Sequence, residues 1–146
     1  MITNINDQLI RDEGMRLFRY PDSRGFDTIG VGHNLDANPL PFDVSKGITR
    51  AQALQILGRD VERTSRALVL RLPWVVKLSD ARYGVLQNMA FNCGVPGLLE
   101  FHHDLADTEA GNYVKAVADM RASAWYTEVG MRAQRLCEQM LTGCWV

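Results

Sequence analysis

A change of hydrophobic period near Gly14 constrains the fold more than any other feature of the sequence. Residues 4–13 place apolar side chains at helical spacing, whereas residues 17–20 and 26–31 have the composition of two short strands. Between the strands, residues 21–25 combine proline, which presets φ, with glycine, which permits positive φ. The segment predicts a short helix followed by a small antiparallel hairpin or sheet.

A long helix is predicted to follow a loop at residues 34–48. Thr49 and Gln52 have the spacing of a capping box, in which each side chain bonds to the other residue's backbone N–H. Apolar residues then recur at helical spacing as far as Leu72, and Pro73 stops the pattern. A helix over about residues 49–72 is expected, long enough to join two lobes.

The remainder of the chain predicts helices alone, so the fold class is α+β. We expect a helix that Ser79 caps and Gly94 ends, and a shorter one over residues 96–105. Thr108 is predicted to cap a further helix that carries Val114, Val117 and Ala118 on its apolar side. A last helix is predicted over residues 131–142, closed by Gly143.

Charge excludes some functions and leaves others open. A formal net charge of −1 does not indicate a nucleic-acid-binding protein. Residues 46–82, however, carry eight basic residues against three acids, a net of +5. This basic segment either attracts an anionic polymer or forms solvated helix faces. The polar N-terminus and the short apolar runs predict neither a signal peptide nor a membrane span.

Cysteine and histidine spacing predicts neither a disulfide nor a metal site. Cys137 and Cys144 would lie about 10 Å apart on one helix, which is too far for a bridge. Together with Cys93 they are expected to be reduced and mostly buried thiols. His102 and His103 have no third ligand nearby, so no metal and no cofactor is predicted.

Three side chains on successive elements suggest sugar chemistry. Glu13 ends the first predicted helix, Asp22 lies in the turn, and Thr28 lies in the second strand. Cleavage of a glycosidic bond requires one protonated carboxyl to serve the leaving oxygen and a second, ionised carboxyl. A hydroxyl can hold the attacking water. Each residue alone has an ordinary structural explanation, as a surface acid, a turn former and a strand former.

Longer motifs support this reading. Residues 12–14 read DEG and residues 28–33 read TIGVGH, and residues 88–94 read NMAFNCG. Near the C-terminus come the Trp-Tyr pair at 125–126, R-A-x-R at 132–135 and T-G-x-W at 142–145. Through these motifs nearly the whole chain resembles the T-even bacteriophage lysozymes, a family of endolysins.

The resemblance implies a catalytic apparatus. Glu13 matches the family's general acid, Asp22 the second carboxylate and Thr28 the residue that positions the attacking water. It therefore implies an inverting reaction, in which the two carboxyl groups lie roughly 6.5–9.5 Å apart.

The resemblance also implies supporting residues. Arg132 matches the arginine that pairs with the catalytic glutamate, and Arg135 matches the one that pairs with the preceding aspartate, here Asp12. His33 and Asp60 match a structural ion pair between the strand region and the long helix.

The resemblance implies substrate contacts at four positions. Phe91 matches a residue of the cleft, and Asn92, Gly32 and Asn34 are predicted to accompany it. Asn34, together with Asp104 and Asp119, departs from the family's residues at sugar-contact positions.

The implied architecture is a single lysozyme-like domain. A small β lobe at 14–48 is followed by the linking helix at 49–72, and residues 1–13 and 73–146 form the helical lobe. The first helix is expected to pack with the helical lobe. A cleft between the lobes is expected to bind peptidoglycan.

The implied activity is that of a muramidase that causes host cell lysis. The alternatives are a tail-borne or toxin lysozyme domain, and a peptidoglycan-binding module without catalysis. Fused segments would signal a tail-borne or toxin domain, so a chain of 146 residues without them is expected to favour the muramidase of host lysis. We expect a monomer that is made in the host cytoplasm and reaches the wall in the periplasm through the hole of a holin-type pore protein.

Overall fold

A computed structural model describes all residues from 1 to 146, which form two compact units. The sheet unit is residues 6–63, and the helical unit is residues 64–146 together with residues 1–5. These units differ from the predicted lobes in two ways. The first helix is grouped with the sheet rather than with the later helices, and the boundary falls within the long helix.

The sheet unit begins with one helix and three strands. Helix α1 spans Ile5–Glu13, and strands β1 (Arg16–Pro21), β2 (Asp27–Gly30) and β3 (His33–Asn34) pair antiparallel in that order. The predicted helix and sheet are confirmed, although β3 was not separately predicted.

Backbone pairing assigns the side chains of the sheet to two faces. Thr28 is the register partner of both Tyr20 on β1 and Asn34 on β3, so these three share one face. Ile29 pairs with His33 and points the other way, because successive side chains alternate along a strand. The second face carries the small core of this unit, formed by Ile29, Ile48, Ala53 and Ile56.

Helix α2 spans Arg50–Arg71, within one residue of the predicted ends. The capping box is confirmed. The Thr49 N–H donates to Gln52 Oε1 at 2.8 Å, and the Gln52 N–H donates to Thr49 Oγ1 at 3.1 Å. Pro73 starts a short 3-10 helix, Pro73–Lys77, and thereby separates α2 from the later helices.

Five helices complete the helical unit: α3 (Asp80–Leu99), α4 (His102–Glu109), α5 (Tyr113–Ala122), α6 (Ala124–Val129) and α7 (Met131–Thr142). Their apolar faces enclose the larger core. Its fully buried members include Leu68, Leu86, Met89, Leu98, Met120, Leu136 and Met140.

Some predicted helix ends are confirmed. The Ser79 hydroxyl accepts the Arg82 N–H at 3.4 Å and caps α3. At Gly94 the backbone leaves helical geometry with φ of +78°, but the helix resumes as far as Leu99. Helix α7 has the predicted bounds, and Gly143 closes it with φ of +73°.

Three predictions in the middle of the helical unit are wrong. No single helix covers residues 96–105, because α3 ends at Leu99 and α4 begins at His102. Thr108 caps no helix: it lies buried inside α4, where its hydroxyl donates to Asp104 Oδ1 at 3.2 Å. On α5, Val114 is 71% exposed and Ala118 is also exposed, so only Val117 of the three predicted residues faces the core.

The C-terminal residues are fixed to α3. A Cβ built on Gly84 would lie 2.3 Å from Cη2 of Trp145, so this indole occupies the place of a side chain. The Arg82 guanidinium donates to the carbonyls of Met140 at 2.9 Å and Leu141 at 3.1 Å. These contacts hold the C-terminal residues against α3.

The three cysteines are free thiols, as predicted. Cys137 is buried and Cys93 is half-buried, but Cys144 is exposed, which corrects the expectation for that residue. None of the helices combines the length and apolar character that crossing a membrane requires.

Candidate active site

Glu13 is held at the junction of α1 and the sheet. It is the last residue of the helix, and the Gly14 N–H donates to the Ile10 carbonyl at 3.0 Å behind it. Its carboxyl group lies against Gly32, where a built Cβ would stand 2.9 Å from Glu13 Oε2. Gly32 also has φ of +63°, a conformation that favours glycine, and a side chain here would displace the carboxyl group of Glu13. Gly32, predicted as a substrate contact, therefore seats the carboxyl group of Glu13.

Asp22 is fixed by the turn between β1 and β2. Its Oδ1 accepts the N–H groups of Arg24 at 2.8 Å and Phe26 at 2.9 Å. These backbone bonds, with that from Phe26 the strongest, and the Arg24 guanidinium 3.9 Å from Oδ2 lower the pKa of Asp22 below its usual value. Partial desolvation opposes them and is outweighed. The turn thus keeps this carboxylate ionised.

Thr28 lies in the middle strand and is 3% exposed. Its hydroxyl donates to the Phe26 carbonyl at 2.8 Å, which leaves the oxygen lone pairs as acceptors. A water molecule positioned by Thr28 would donate a hydrogen bond to the hydroxyl oxygen. The lone pair of that water would then point away from Thr28. The bond to Phe26 also links Thr28 to the residue whose N–H binds Asp22.

Tyr20 is a residue that the sequence analysis did not single out. Burial raises the pKa of its phenol, and the negative charges of Glu13 and then Asp22 raise it further, against an opposing effect of Arg16. The Arg16 guanidinium lies 4.5 Å from the centre of the ring. Tyr20 therefore lies in the field of both carboxylates and on the sheet face of Thr28. Its place directly opposite Thr28 in the hairpin was the available signal.

His33 and Asp60 form the predicted ion pair. His33 Nδ1 lies 2.7 Å from Asp60 Oδ2, and both side chains are almost completely buried. His33 Nε2 lies 2.8 Å from the Asn38 carbonyl oxygen, and Arg63 donates to Asp60 Oδ1 at 2.8 Å. Burial alone lowers the pKa of His33, but the hydrogen bonds and charge of Asp60 and the Asn38 carbonyl raise it overall. The pair joins β3 to α2.

Arg132 is positioned on α7 by Asn88 of α3. Its Nε donates to Asn88 Oδ1 at 2.7 Å, and Asn88 is completely buried. Asn88 is thus a positioning residue that the sequence analysis quoted in a motif without giving it a role. The predicted pairing of Arg132 with Glu13 joins residues of different units and stays a prediction. The same holds for Arg135 and Asp12, whose carboxylate accepts Arg11 Nε at 2.9 Å.

Phe91 and Asn92 lie just before the break in α3 at Gly94, and both are half-buried. Asn92 Oδ1 accepts the indole N–H of Trp125 at 3.2 Å. Trp125 in turn meets Phe101 edge to face at 5.8 Å between ring centres. Asn92 therefore has a structural partner besides its predicted role as a substrate contact.

Asp104 and Asp119 are the departures on the helical side. Asp104 is 2% exposed, its Oδ1 accepts the Thr108 hydroxyl, and its Oδ2 has no partner. Burial, with smaller effects from Asp119 and Asp107, raises its pKa to about 7. Asp104 is thus a buried carboxyl group that titrates near neutrality.

A sequence profile described as phage lysozyme matches residues 11–139. The chain belongs to the phage lysozyme family. Members are glycoside hydrolases, so the family and its relatives indicate an enzyme of this class with a muramidase-type function. The match includes all of the predicted catalytic and supporting residues.

Relatives of this phage lysozyme family member differ in size. It is 30% identical to the pre-baseplate central spike protein Gp5 of Enterobacteria phage T4, over 94% of this chain but only 27% of that protein. It is 26% identical to a probable T4-type lysozyme of Dictyostelium discoideum, over 98% of this chain and 96% of the relative. The endolysin of Salmonella phage P22 is 35% identical over 60% of this chain and 58% of its own length. The chain thus spans about a quarter of the spike protein and nearly all of the amoebal lysozyme.

Proposed function

We propose that this enzyme hydrolyses the β-1,4 bond between N-acetylmuramic acid and N-acetylglucosamine in bacterial peptidoglycan, with inversion. The observation that carries the proposal is that the sheet unit contains two carboxyl groups in different environments. Asp22 is kept ionised by backbone N–H groups of its turn, whereas the carboxyl group of Glu13 rests against Gly32 at the end of α1. Tyr20 lies in the field of both.

The roles follow from the chemistry of the bond. Glu13, carrying a proton, donates it to the glycosidic oxygen as the bond breaks. Asp22 is the anion that faces the developing positive charge and, with Thr28, directs a water molecule at the opposite side of the sugar. The ion pair of His33 and Asp60 is assigned to hold the sheet on α2.

The central experiment replaces Glu13 by glutamine, which keeps the shape and removes the proton. We expect Glu13→Gln to lower the rate of peptidoglycan hydrolysis by about 10²–10⁴-fold while wall binding and the circular dichroism spectrum are retained. Glu109→Gln is the matched control, because Glu109 is also the last residue of a helix and is exposed. Near-normal hydrolysis by Glu13→Gln would refute the assignment.

The stereochemistry is tested separately. If Thr28 positions the attacking water, products released by the wild-type enzyme have the inverted anomeric configuration, which proton NMR of fresh digests reads directly. Thr28→Glu or Thr28→His removes the place of that water, so hydrolysis falls and a covalent or transfer reaction becomes possible. Retained configuration in wild-type products would contradict the role of Thr28.

A second candidate concerns where the enzyme acts. The likeness to a baseplate spike protein favours a tail-borne wall-penetrating enzyme, and the likeness to an endolysin favours host lysis, with a separate pore-forming protein that opens the membrane. Mass spectrometry of purified phage particles separates them, because only a tail-borne enzyme remains with the particle. If the protein were a binding module without catalysis, Glu13→Gln and the wild type would give the same result in the wall-hydrolysis assay.

A further inference from the structure

The sheet unit contains a cavity of about 360 Å³ between the loop at residues 37–41 and one side of α2. Its volume is within the range of small-molecule sites, about 300–1,000 Å³. All of its lining residues belong to residues 33–63. No role assigned above uses this space.

The charged wall of the cavity has an excess of positive charge. His33 is held between two oxygen acceptors, the Asp60 carboxylate and the Asn38 carbonyl. These acceptors can satisfy both ring N–H groups of an imidazolium. Asp60, the one acid of the lining, has its two oxygens occupied by His33 and Arg63. Arg59 and Arg63 bring two guanidinium groups against this single carboxylate, which leaves the lining with a formal excess of positive charge.

Both guanidinium groups retain donors for a ligand. Arg63 uses one nitrogen on Asp60, and its side chain is 52% exposed. Arg59 is exposed and makes no ion pair. A guanidinium offers five N–H donors in a planar fork that matches a carboxylate through two parallel hydrogen bonds. The wall therefore suits an anionic group with two equivalent oxygens.

The remaining wall is apolar. Pro39, Leu40 and Pro41 from the loop face Ile56 of α2. A ligand that fills the cavity thus combines a carboxylate with small apolar groups. The stem peptides of peptidoglycan have this chemistry, because they contain alanine residues and free carboxylates.

The cavity lies on a different face of the sheet from Tyr20, Thr28 and Asn34. His33 pairs with Ile29, whereas Thr28 pairs with Tyr20 and Asn34 on the other face. A ligand in the cavity would leave the sugar site unoccupied. Binding of a peptide here is compatible with cleavage of a glycan by Glu13 and Asp22.

We propose that this cavity binds a free carboxylate of a peptidoglycan stem peptide through Arg59 and Arg63, with the adjoining alanine side chain against the prolines. The proposal rests on the proposed substrate and gives the basic segment at residues 46–82 a function. Binding at a second face would hold the enzyme on the wall between cleavage events.

The probe is the sugar-free stem tetrapeptide L-alanyl-D-isoglutamyl-meso-diaminopimelyl-D-alanine, titrated into the full chain and followed by amide NMR shifts. We expect saturable shifts at Asn38 and Leu40. Arg59→Gln should weaken binding about tenfold, the effect of losing one charge-assisted hydrogen bond. Arg71→Gln, an exposed arginine at the end of the same helix, should bind as the wild type does.

Two further ligands identify what is bound. The same peptide with its carboxylates amidated should bind at least about tenfold more weakly. Equal binding of the amidated peptide, or shifts that avoid residues 37–41, would overturn the proposal. Inorganic phosphate that binds as tightly as the peptide would also overturn it, because the apolar wall would then contribute nothing.

The cavity and the catalytic assignment fail in different assays. Glu13→Gln should bind the tetrapeptide with wild-type affinity although it no longer cleaves the glycan. If the wild-type chain binds the peptide but does not hydrolyse peptidoglycan, the proposed activity is wrong. If it hydrolyses peptidoglycan but shows no shifts with the peptide, the cavity proposal is wrong and the activity stands.

Discussion

The sheet unit and the helical unit each bury an aspartate, and they treat its charge differently. In the sheet unit both oxygens of Asp60 are bound, one by His33 and one by Arg63. In the helical unit Asp104 has a single hydroxyl partner, Thr108, and an oxygen with none. Burying a carboxylate is expensive unless it is paired, and burial accordingly raises the pKa of Asp104, which favours its neutral form.

The two cores differ in the same sense. The main cluster of the helical unit has fifteen buried apolar residues, whereas that of the sheet unit has four. Folding of the helical unit therefore depends mainly on apolar packing and tolerates one uncompensated carboxyl group. The sheet unit has less apolar surface to bury, and its hydrogen-bonded turn, capping box and ion pair provide a larger share of its specificity.

Truncation of core side chains should give the largest effect on stability. Met89 is fully buried in the larger cluster, and Met89→Ala is expected to lower the free energy of unfolding by about 2–5 kcal/mol. Ile56→Val in the smaller cluster is expected to cost about 0.5–1.5 kcal/mol. Urea unfolding followed by circular dichroism measures both. If both variants lose the same free energy of unfolding per unit of side-chain volume removed, the proposed difference between the two cores is contradicted.

Removal of His33 tests the compensated charge. The pKa of His33 is raised in the folded protein, so its stabilising effect is complete below the usual histidine pKa of about 6.5 and is lost as pH rises through the raised value. We expect His33→Gln to cost about 1.5–3 kcal/mol at acidic to neutral pH, and less as pH rises. Urea unfolding from about pH 5 to about pH 10 measures the difference, and a constant difference would contradict the pairing.

Replacement of Asp104 tests the uncompensated charge. Its folded pKa of about 7 lies above the unfolded value of about 3.9, so the native state binds the extra proton and stability falls as pH rises between the two. Asp104→Asn keeps the oxygen that accepts Thr108 and cannot ionise. We expect a gain of about 1–3 kcal/mol near pH 8 and none near pH 4, from thermal or urea unfolding. A loss at both pH values would show that Oδ2 has an essential partner.

The sheet unit was the more predictable of the two, because its signals are local. The turn at Pro21–Gly25 and the cap at Thr49 each act within a few residues, and each appears where it was predicted. The identity of the family was also available from motifs. What the sequence did not indicate was the short strand β3, which exists only because β2 pairs with it.

The helical unit shows why other predictions were wrong. Thr108 followed by helix-forming residues has the pattern of an N-cap, but its hydroxyl is used by a buried aspartate one turn earlier. The interruption at residues 100–101 carries neither proline nor glycine. For the candidate site, residue types predicted Glu13 and Asp22, whereas Tyr20 and Asn88 acquire their roles from neighbours that only the folded chain supplies.

The Trp145 indole that stands in the place of a Gly84 side chain has a consequence for synthesis. The sheet unit is one uninterrupted segment, so every residue it needs has left the ribosome soon after residue 63. The helical unit draws on residues 1–5 and on Trp145, and its packing is incomplete until the latter has emerged from the exit tunnel. During translation the sheet unit, which carries Glu13 and Asp22, can therefore fold before the packing of the helical unit is completed by the Trp145 side chain.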